Sequence, residues 1–274
     1  MVAQSAAEVI VVDFSCPEAA GDWVASNFVS ARVVSVEGQK HFSNWKARNA
    51  GAAIATSEVL VFVDADTVLA DGAIDRLAER LPDGVYGYFD RETSKAFNQG
   101  GPVLGANQLK GFHVVPAEAF GRVGGYDEVL EGYAAGADTD LEERLLMIGL
   151  VKHVLDPLLI ESVINHDAAS RTEHHSQSIG MSYGAGLLYR AAKRVLLRAG
   201  GHSELPLPTR QQLYDAARRA VSALGSERDR VSLDLKLGRE PVLMPRQLGY
   251  ERGSQTVSLR VELSLQDKLT DLPE

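Results

Sequence analysis

Cysteine is nearly absent from this chain of 274 residues, which carries Cys16 as its one thiol. A single cysteine excludes an intramolecular disulfide and a cysteine-based zinc cluster. Basic residues are also scarce, since 28 Lys and Arg stand against 37 Asp and Glu and the net charge is −9. Without a basic excess to neutralise phosphates, we expect no nucleic-acid partner.

Long apolar runs are missing as well, so the sequence predicts no membrane-spanning helix. Met1 to Glu8 lacks the basic start and apolar core of a signal peptide, and the expected location is cytoplasmic. A helix predicted over residues 178–199 carries several basic side chains beside leucines, and it could lie on the inner face of an anionic membrane. A packed helix with a solvated basic side is the simpler interpretation. Its basic residues are Arg190, Lys193, Arg194 and Arg198.

Strand-like and helix-like apolar spacing alternate along the first 200 residues. Strands are predicted at residues 8–13, 31–36, 58–63, 111–115 and 158–165, and helices at 17–28, 44–55, 138–148 and 178–199. This alternation predicts an α/β fold with a mostly parallel sheet flanked by helices. Residues 91–109 are predicted to form a loop. The character changes after Gly200, so we expect one domain over residues 1–200 and a small C-terminal α+β appendage over 201–274.

The sharpest chemical signal is the buried strand at residues 58–63, which ends in Asp64-Ala65-Asp66. Ligands bind at the carboxyl ends of strands in open α/β sheets. Carboxylates placed there can hold a divalent cation, and the cation can grip a diphosphate. Aspartates also occur at strand ends as turn formers or helix caps, and the pair alone does not decide between these interpretations.

Four segments in a fixed order resemble known glycosyltransferases. They are Lys46-Ala47-Arg48-Asn49-Ala50-Gly51, then Thr56-Ser57-Glu58 with the strand ending in Asp64-Ala65-Asp66, Gly124-Gly125-Tyr126-Asp127-Glu128, and Gly132 to Leu141. The first two resemble the nucleotide-sugar signature of family 2 glycosyltransferases. The last two resemble the acceptor-side signature of the β-1,4-galactosyltransferase and polypeptide GalNAc-transferase families. The resemblance covers residues 8–170 and implies a GT-A fold, a Rossmann-like sheet with the metal and the donor at its carboxyl edge.

On the donor side, the resemblance implies four residues that bind a nucleotide sugar, with a UDP-sugar as the expected donor. Asp13 would contact the base or ribose, and Arg48 and Lys46 would lie near the phosphates. Asp64 would face the ribose side or the metal through water. The simpler interpretations are a strand-end turn residue for Asp13 and a solvated helix face for Arg48 and Lys46.

The resemblance also implies a metal site. Asp66 would coordinate the ion directly, and His166 would complete the site, with His174 and His175 as rivals in the same polar stretch. Imidazole shifts the preference from Mg²⁺ toward Mn²⁺. We therefore expect Mn²⁺, or Mg²⁺, as the cofactor.

On the acceptor side, Asp138 matches the general base of these inverting families. Backbone N–H groups at the start of a helix keep such a carboxylate ionised. Ala137 departs from the family, which usually has glutamate there. Asp140 is the second candidate, although helical geometry turns it about 200° away from Asp138.

Three further residues are expected to bind the acceptor. His113 lies in the predicted acceptor-facing strand, and Gly125 and Tyr126 belong to the glycine-containing signature. For the glycine pair, a plain helix C-cap is an alternative interpretation. The acceptor would be a saccharide or another hydroxyl compound.

Family 2 enzymes normally begin with a strand and a helix before the segment that matches residues 8–13. Since only Met1 to Ala7 stand there, we expect that first strand to be missing or truncated. The predicted function is an inverting, metal-dependent glycosyltransferase. The alternatives are a nucleotidyltransferase on the same fold, against which the acceptor-side signature argues, or a non-catalytic nucleotide-sugar-binding module.

Overall fold

A computed structural model describes residues 8–97, 109–164, 173–223, 230–246 and 249–264. The chain divides into two compact units, Met1–Ile179 and Gly180–Glu274. This division groups the long helix after residue 178 with the C-terminal residues, whereas the sequence suggested a boundary at residue 200. The assignment of separate domains to residues 1–200 and 201–274 stays a prediction.

The first unit alternates strands and helices, which confirms the α/β class. Its strands are β1 (Val9–Asp13), β2 (Ala31–Ser35), β3 (Val59–Phe62), β4 (Thr67–Leu69), β5 (Val85–Tyr88), β6 (His113–Pro116), β7 (Val151–Val154) and β8 (Ile160–Val163). Its helices are α1 (Ala20–Asn27), α2 (Asn44–Ile54), α3 (Ala73–Arg80), α4 (Arg91–Ala96), α5 (Ala117–Arg122) and α6 (Ala137–Met147), with a 3₁₀ turn at Pro157–Leu159.

The strand pairings of this unit are mixed. β1 and β2 are parallel, and the order of the central sheet is β3-β6-β5-β7. In that sheet β6 runs antiparallel to both β3 and β5, while β5 and β7 are parallel. The alternation of elements could not reveal the reversal at β6, because it does not fix the end of the sheet at which each connection returns.

Helix α4 lies inside the segment for which the sequence predicted a loop. The Asp90 carboxylate accepts a hydrogen bond from the Thr93 N–H at 2.8 Å, so an aspartate begins the helix in the way that N-caps do. Residues 98–108, the rest of the predicted loop, lie outside the described residues.

An apolar cluster of the first unit packs α3 and the β8 region against the central sheet. Its buried members are Leu69, Ala73, Leu77, Phe89, Leu109, Phe112, Val114, Leu155, Leu159 and Ile160. Each large side chain buried in this way contributes about 1.5–3 kcal/mol. The cluster fixes the sheet that carries the candidate site.

A cavity of about 800 Å³ lies beside α2. Its lining includes Phe14, which follows β1, Ala50 and Ala53 of α2, Leu60 of β3 and Phe120 of α5. Within the described residues, β1 pairs only with β2 and β3 only with β6. The expectation of a missing or truncated first strand stays a prediction.

The second unit contains α7 (Ile179–Gly200), α8 (Leu207–Ser222) and the antiparallel strands β9 (Arg230–Arg246) and β10 (Gly249–Ser264). Lys193 of α7 is 1% exposed, and its Nζ lies 2.8 Å from a Glu204 carboxylate oxygen. One of the four basic residues of this helix is therefore buried in an ion pair, as the packed-helix interpretation requires. Among the described helices, none combines the length and the hydropathy needed to cross a membrane. Peripheral membrane contact stays a prediction.

Candidate active site

Arg48 joins residues that lie far apart in the sequence. Its Nη2 donates a hydrogen bond to Asp64 Oδ1 at 2.5 Å, and its Nη1 donates to Asp138 Oδ1 at 2.8 Å and to the Tyr126 hydroxyl at 3.2 Å. The Arg48 side chain is only 8% exposed, and its Cζ lies 5.3 Å from the centre of the Tyr126 ring. We call this group of Arg48, Asp64, Asp138 and Tyr126 the Arg48 bridge. It brings Asp64, which is predicted to lie on the donor side, and Asp138, the predicted base, to one guanidinium.

The elements explain why these side chains meet. Helix α2 begins at Ser43, whose hydroxyl accepts from the Lys46 N–H, and Arg48 stands on its second turn. Asp64 follows β3 at its carboxyl end. Asp138 lies in the first turn of α6, two residues after the N-cap Gly136, whose φ of +82° belongs to the region that favours glycine.

Gly111 lets the backbone approach the Arg48 bridge closely. A Cβ at this position would lie 2.3 Å from Arg48 Nη2 and 2.5 Å from Asp64 Oδ2. Any side chain would therefore displace the ion pair. Nothing in the local sequence pattern around this glycine indicates a contact with residues so distant along the chain.

Asn49 holds the turn that carries Tyr126. Its Nδ2 donates to the Tyr126 carbonyl at 2.9 Å, and its Oδ1 accepts from the Tyr126 N–H at 2.9 Å. Gly125 has a φ of +70°, and a Cβ there would lie 2.7 Å from Asn49 Oδ1. The two hydrogen bonds of the Asn49 amide thus hold Tyr126 next to Arg48, and they can form because Gly125 has no side chain to displace Asn49. Asn49 belongs to the segment that resembles the donor signature, but no role was assigned to it from the sequence.

Charge and burial set the protonation of the bridge. Burial alone would lower the pKa of the Arg48 guanidinium, but its interactions with Tyr126, Asp64 and Asp138 outweigh burial and raise that pKa. Burial raises the pKa of the Tyr126 phenol well above its ordinary value. Arg48 therefore stays charged, and Tyr126 keeps its hydroxyl proton.

The two acidic candidates for the base have different surroundings. Asp138 is 17% exposed and bound to Arg48. Asp140 is 4% exposed, and its Oδ2 accepts from Arg144 Nε at 2.8 Å in a buried pair within the same helix. This is the separation that helical geometry predicted, and it favours Asp138 as the carboxylate within reach of a substrate.

The metal candidates are described only in part. Asp66 is half-buried, and its carbonyl accepts a hydrogen bond from the Ile164 N–H at 2.7 Å. Ile164, two residues before His166 in the sequence, therefore lies next to Asp66. His166 lies outside the described residues. Asp64 and Asp66 belong to no three-ligand cluster within the described part of the chain. Two carboxylates nevertheless suit a hard cation that takes its remaining ligands from water and substrate phosphates.

The other two donor-side candidates, Asp13 and Lys46, differ in the contacts that their side chains make. Asp13 accepts backbone hydrogen bonds from Cys16 at 2.8 Å and Gly21 at 2.7 Å, so both of its oxygens order the turn after β1. The Lys46 side chain is half-buried and lines the cavity beside α2. Its ammonium has no ion pair in the described part of the chain. Contact of either residue with a nucleotide stays a prediction.

The three predicted acceptor residues are buried. His113 is 0% and Tyr126 1% exposed, and Gly125 is buried as well. His113 Nδ1 lies 3.1 Å from the Tyr126 hydroxyl, and its Nε2 lies 3.5 Å from Glu142 Oε1. Direct contact with an acceptor would need these groups to become accessible, so that role stays a prediction.

Glu142 is a buried charged residue on α6, four residues after Asp138. It is 4% exposed and is bound by Lys110 and Lys152, the latter at 2.6 Å. Burial would raise the pKa of its carboxyl, but the hydrogen bond from His113 and the charge of Lys110 outweigh burial and hold that pKa below its ordinary value. Glu142 is therefore an ionised group that is connected to the Arg48 bridge through His113 and Tyr126.

One family of known proteins matches part of the chain. Residues 4–100, which extend from β1 past α4, match the family described as glycosyl transferase family 2. No curated protein sequence matches the chain. This family match confirms, over residues 4–100, the resemblance to family 2 glycosyltransferases noted in the sequence, and the class it supports is glycosyltransferase.

Two solved structures are similar to the chain at low identity. A mannosyltransferase from Pyrobaculum calidifontis, in complex with GDP-Man and Mn²⁺, is 18% identical with a TM-score of 0.44, over 80% of this chain and 67% of that one. The catalytic domain of Drosophila β-1,4-galactosyltransferase 7, in complex with xylobiose, is 11% identical with a TM-score of 0.39, over 96% of each chain.

Proposed function

We propose that this chain is an inverting, divalent-metal-dependent glycosyltransferase that moves a sugar from a nucleotide sugar to an acceptor hydroxyl. The observation that carries the proposal is the Arg48 bridge. One guanidinium contacts both Asp64, at the strand edge where a donor would bind, and Asp138, the acidic residue matched to the family's base. The expected donor is a UDP-sugar.

The reaction assigns one task to each side of the bridge. The acceptor oxygen attacks the anomeric carbon opposite the leaving group, and Asp138 takes the hydroxyl proton as the new bond forms. The bond from the anomeric carbon to the diphosphate oxygen breaks, and its electrons leave with the nucleoside diphosphate. Arg48 stabilises the charge that develops on that leaving group.

Asp66, with Asp64 beside it, would hold the metal. When bound, a divalent cation supplies positive charge to the leaving diphosphate. Mn²⁺ is the expected ion if His166 is a ligand, and Mg²⁺ if only carboxylates are.

Product analysis tests the proposal against its alternatives. The chain is incubated with UDP-glucose, UDP-galactose, UDP-N-acetylglucosamine or GDP-mannose, with Mn²⁺ or with EDTA, and the released products are separated. Metal-dependent release of nucleoside diphosphate supports a glycosyltransferase. Cleavage within the diphosphate, which leaves sugar 1-phosphate, would indicate a nucleotidyltransferase. Metal-dependent binding with no turnover, even in the presence of saccharide acceptors, would indicate a binding module.

Two substitutions assign the roles. Asp66→Ala should abolish metal-dependent binding of the nucleoside diphosphate. Asp138→Asn should keep that binding but lose at least about 10²-fold in transfer. Asp75→Asn, an exposed carboxylate on α3, is the matched control and should change neither. Retention of the anomeric configuration in the product would contradict the role of Asp138.

A further inference from the structure

A column of buried polar groups continues from Arg48 into the protein. Tyr126 lies next to Arg48, His113 next to Tyr126, and Glu142 next to His113, at 3.2, 3.1 and 3.5 Å. Lys110 and Lys152 bind Glu142 at the far end, with side chains 35% and 37% exposed. The column therefore links a partly solvated pair of lysines to the candidate active site.

The chemistry of the groups gives the column one direction. A guanidinium can only donate, so the Tyr126 oxygen accepts from Arg48 and its own proton is free for His113. His113 Nδ1 then accepts that proton's hydrogen bond, which leaves the ring hydrogen on Nε2, facing the Glu142 carboxylate. Each donor thus faces an acceptor along the whole column when His113 is the neutral Nε2–H tautomer.

We propose that His113 and Tyr126 are positioning residues that act behind Arg48, instead of contacting the acceptor as the sequence suggested. The acceptor nitrogen of His113 holds the hydroxyl of Tyr126 with its lone pairs toward Arg48. That hydroxyl fixes Nη1, the same nitrogen that donates to Asp138. His113 therefore sets how Arg48 is shared between Asp64 and Asp138. The inference rests on the proposed function for the meaning of that sharing.

Packing explains why the column can position Arg48 accurately. The Tyr126 ring packs against Phe62 and Phe120, with ring centres 5.3 and 5.7 Å apart. Asn49 holds the backbone of Tyr126 from the other side. With the ring fixed, rotation of the Tyr126 O–H bond is the main remaining degree of freedom, and the hydrogen bond to His113 restricts it.

The tautomer of His113 is the first test. Long-range ¹H–¹⁵N NMR on the full chain, labelled at its seven histidines, reports which ring nitrogen carries hydrogen, and His113→Gln assigns the signal. We expect hydrogen on Nε2 and a change in the Nδ1 signal in Tyr126→Phe, because Nδ1 loses its donor. Hydrogen on Nδ1, a charged ring at neutral pH, or no response to Tyr126→Phe would overturn the inference.

A pair of substitutions separates positioning from general damage. His113→Asn keeps an acceptor near the Nδ1 position, whereas His113→Gln keeps only a group near Nε2. We measure kcat and KM for release of nucleoside diphosphate from whichever nucleotide sugar of the panel the wild type cleaves. His113→Gln should lower kcat about 5- to 10-fold, the worth of one hydrogen bond, with a change in KM of less than about twofold. His113→Asn should be the less impaired of the two.

The same pair in the Tyr126→Phe background completes the test. Without the hydroxyl, the difference between His113→Asn and His113→Gln should disappear, since the acceptor nitrogen has nothing to hold. Equal values of kcat for His113→Asn and His113→Gln when Tyr126 is present would overturn the inference. A difference in kcat between them that persists in Tyr126→Phe would overturn it as well. The NMR measurement of the His113 tautomer needs no substrate, so an unexpected tautomer refutes the positioning role alone. The absence of any nucleoside diphosphate release by the wild type would instead refute the proposed function.

Discussion

Replacement of Arg48 by methionine tests whether the Arg48 bridge stabilises the fold. The change keeps an unbranched apolar stem of similar length and removes the guanidinium. It leaves Asp64 and Asp138 without their cation and the Tyr126 hydroxyl without its donor. Two carboxylates that shared one positive charge then repel each other in a partly buried site.

The size of the effect follows from the exposure of the partners. Removing one member of a buried ion pair costs about 3–5 kcal/mol. Asp138 is 17% and Asp64 35% exposed, so water can partly solvate both carboxylates. Discounting for that screening, we expect a loss of about 2–3 kcal/mol. This corresponds to a fall in melting temperature of about 4–12 °C for a unit of this size.

Lys46→Met is the matched control for this substitution. Lys46 stands on the same helix, is half-buried and has no ion pair among the described residues, so its replacement should stay within about 0.5 kcal/mol. Calorimetric melting and urea unfolding at pH 7 measure both variants. The triple variant with Asp64→Asn and Asp138→Asn should recover part of the loss, because the repulsion disappears. Equal stability of Arg48→Met and Lys46→Met would refute the reasoning.

Three further perturbations address the residues around the bridge. Gly111→Ala should destabilise the chain by about 1–3 kcal/mol and weaken Mn²⁺–UDP binding in calorimetric titration, because the new Cβ would meet Arg48. Gly121→Ala is the control, since no atom lies within 4 Å of its Cβ, and it should change neither stability nor binding. Glu142→Gln should be less stable than wild type at pH 7 by about 2 kcal/mol. Because the pKa of Glu142 is depressed by folding, urea unfolding should show this gap closing as the pH falls below about 4.5, and a constant gap would contradict the assignment. Asn49→Asp should lower the melting temperature by replacing a donor to the Tyr126 carbonyl with a carboxylate beside Glu128, and an unchanged temperature would contradict the clamp.

The individual elements could be predicted because their signals are local. The apolar run before Asp64 predicted β3, and the acidic segment from Asp138 predicted α6, each within about two residues. The separation of Asp138 from Asp140 followed from helical geometry alone. These predictions need only the few neighbours that define a period or a cap.

The contacts between elements could not be derived in the same way. The reversed direction of β6 places His113 and Gly111 beside Tyr126 and Arg48, and no periodicity records the direction of a strand. For that reason Gly111 received no role, and His113 was expected to face an acceptor although the structure buries it. Asn49 received none because its partner, the backbone of Tyr126, is 77 residues away in the sequence. Burial of a polar residue depends on partners that the sequence supplies from distant segments, here Tyr126 and Glu142.

The charges of the site give a physical reason for the expected metal dependence. Arg48 supplies one positive charge against the three negative charges of Asp64, Asp66 and Asp138, so these residues together carry a net charge of −2. A nucleoside diphosphate sugar is itself an anion, and its approach to such a group is unfavourable unless a cation accompanies it. Arg48 cannot remove this excess, because its positive charge is already included in that sum. We therefore expect donor affinity to fall steeply when divalent cations are removed, and to fall less in Asp138→Asn, which lowers the negative charge by one. Calorimetric titration of UDP in Mn²⁺ and in EDTA measures both, and an equal loss in the two proteins would show that Asp138 lies too far from the donor for its charge to matter.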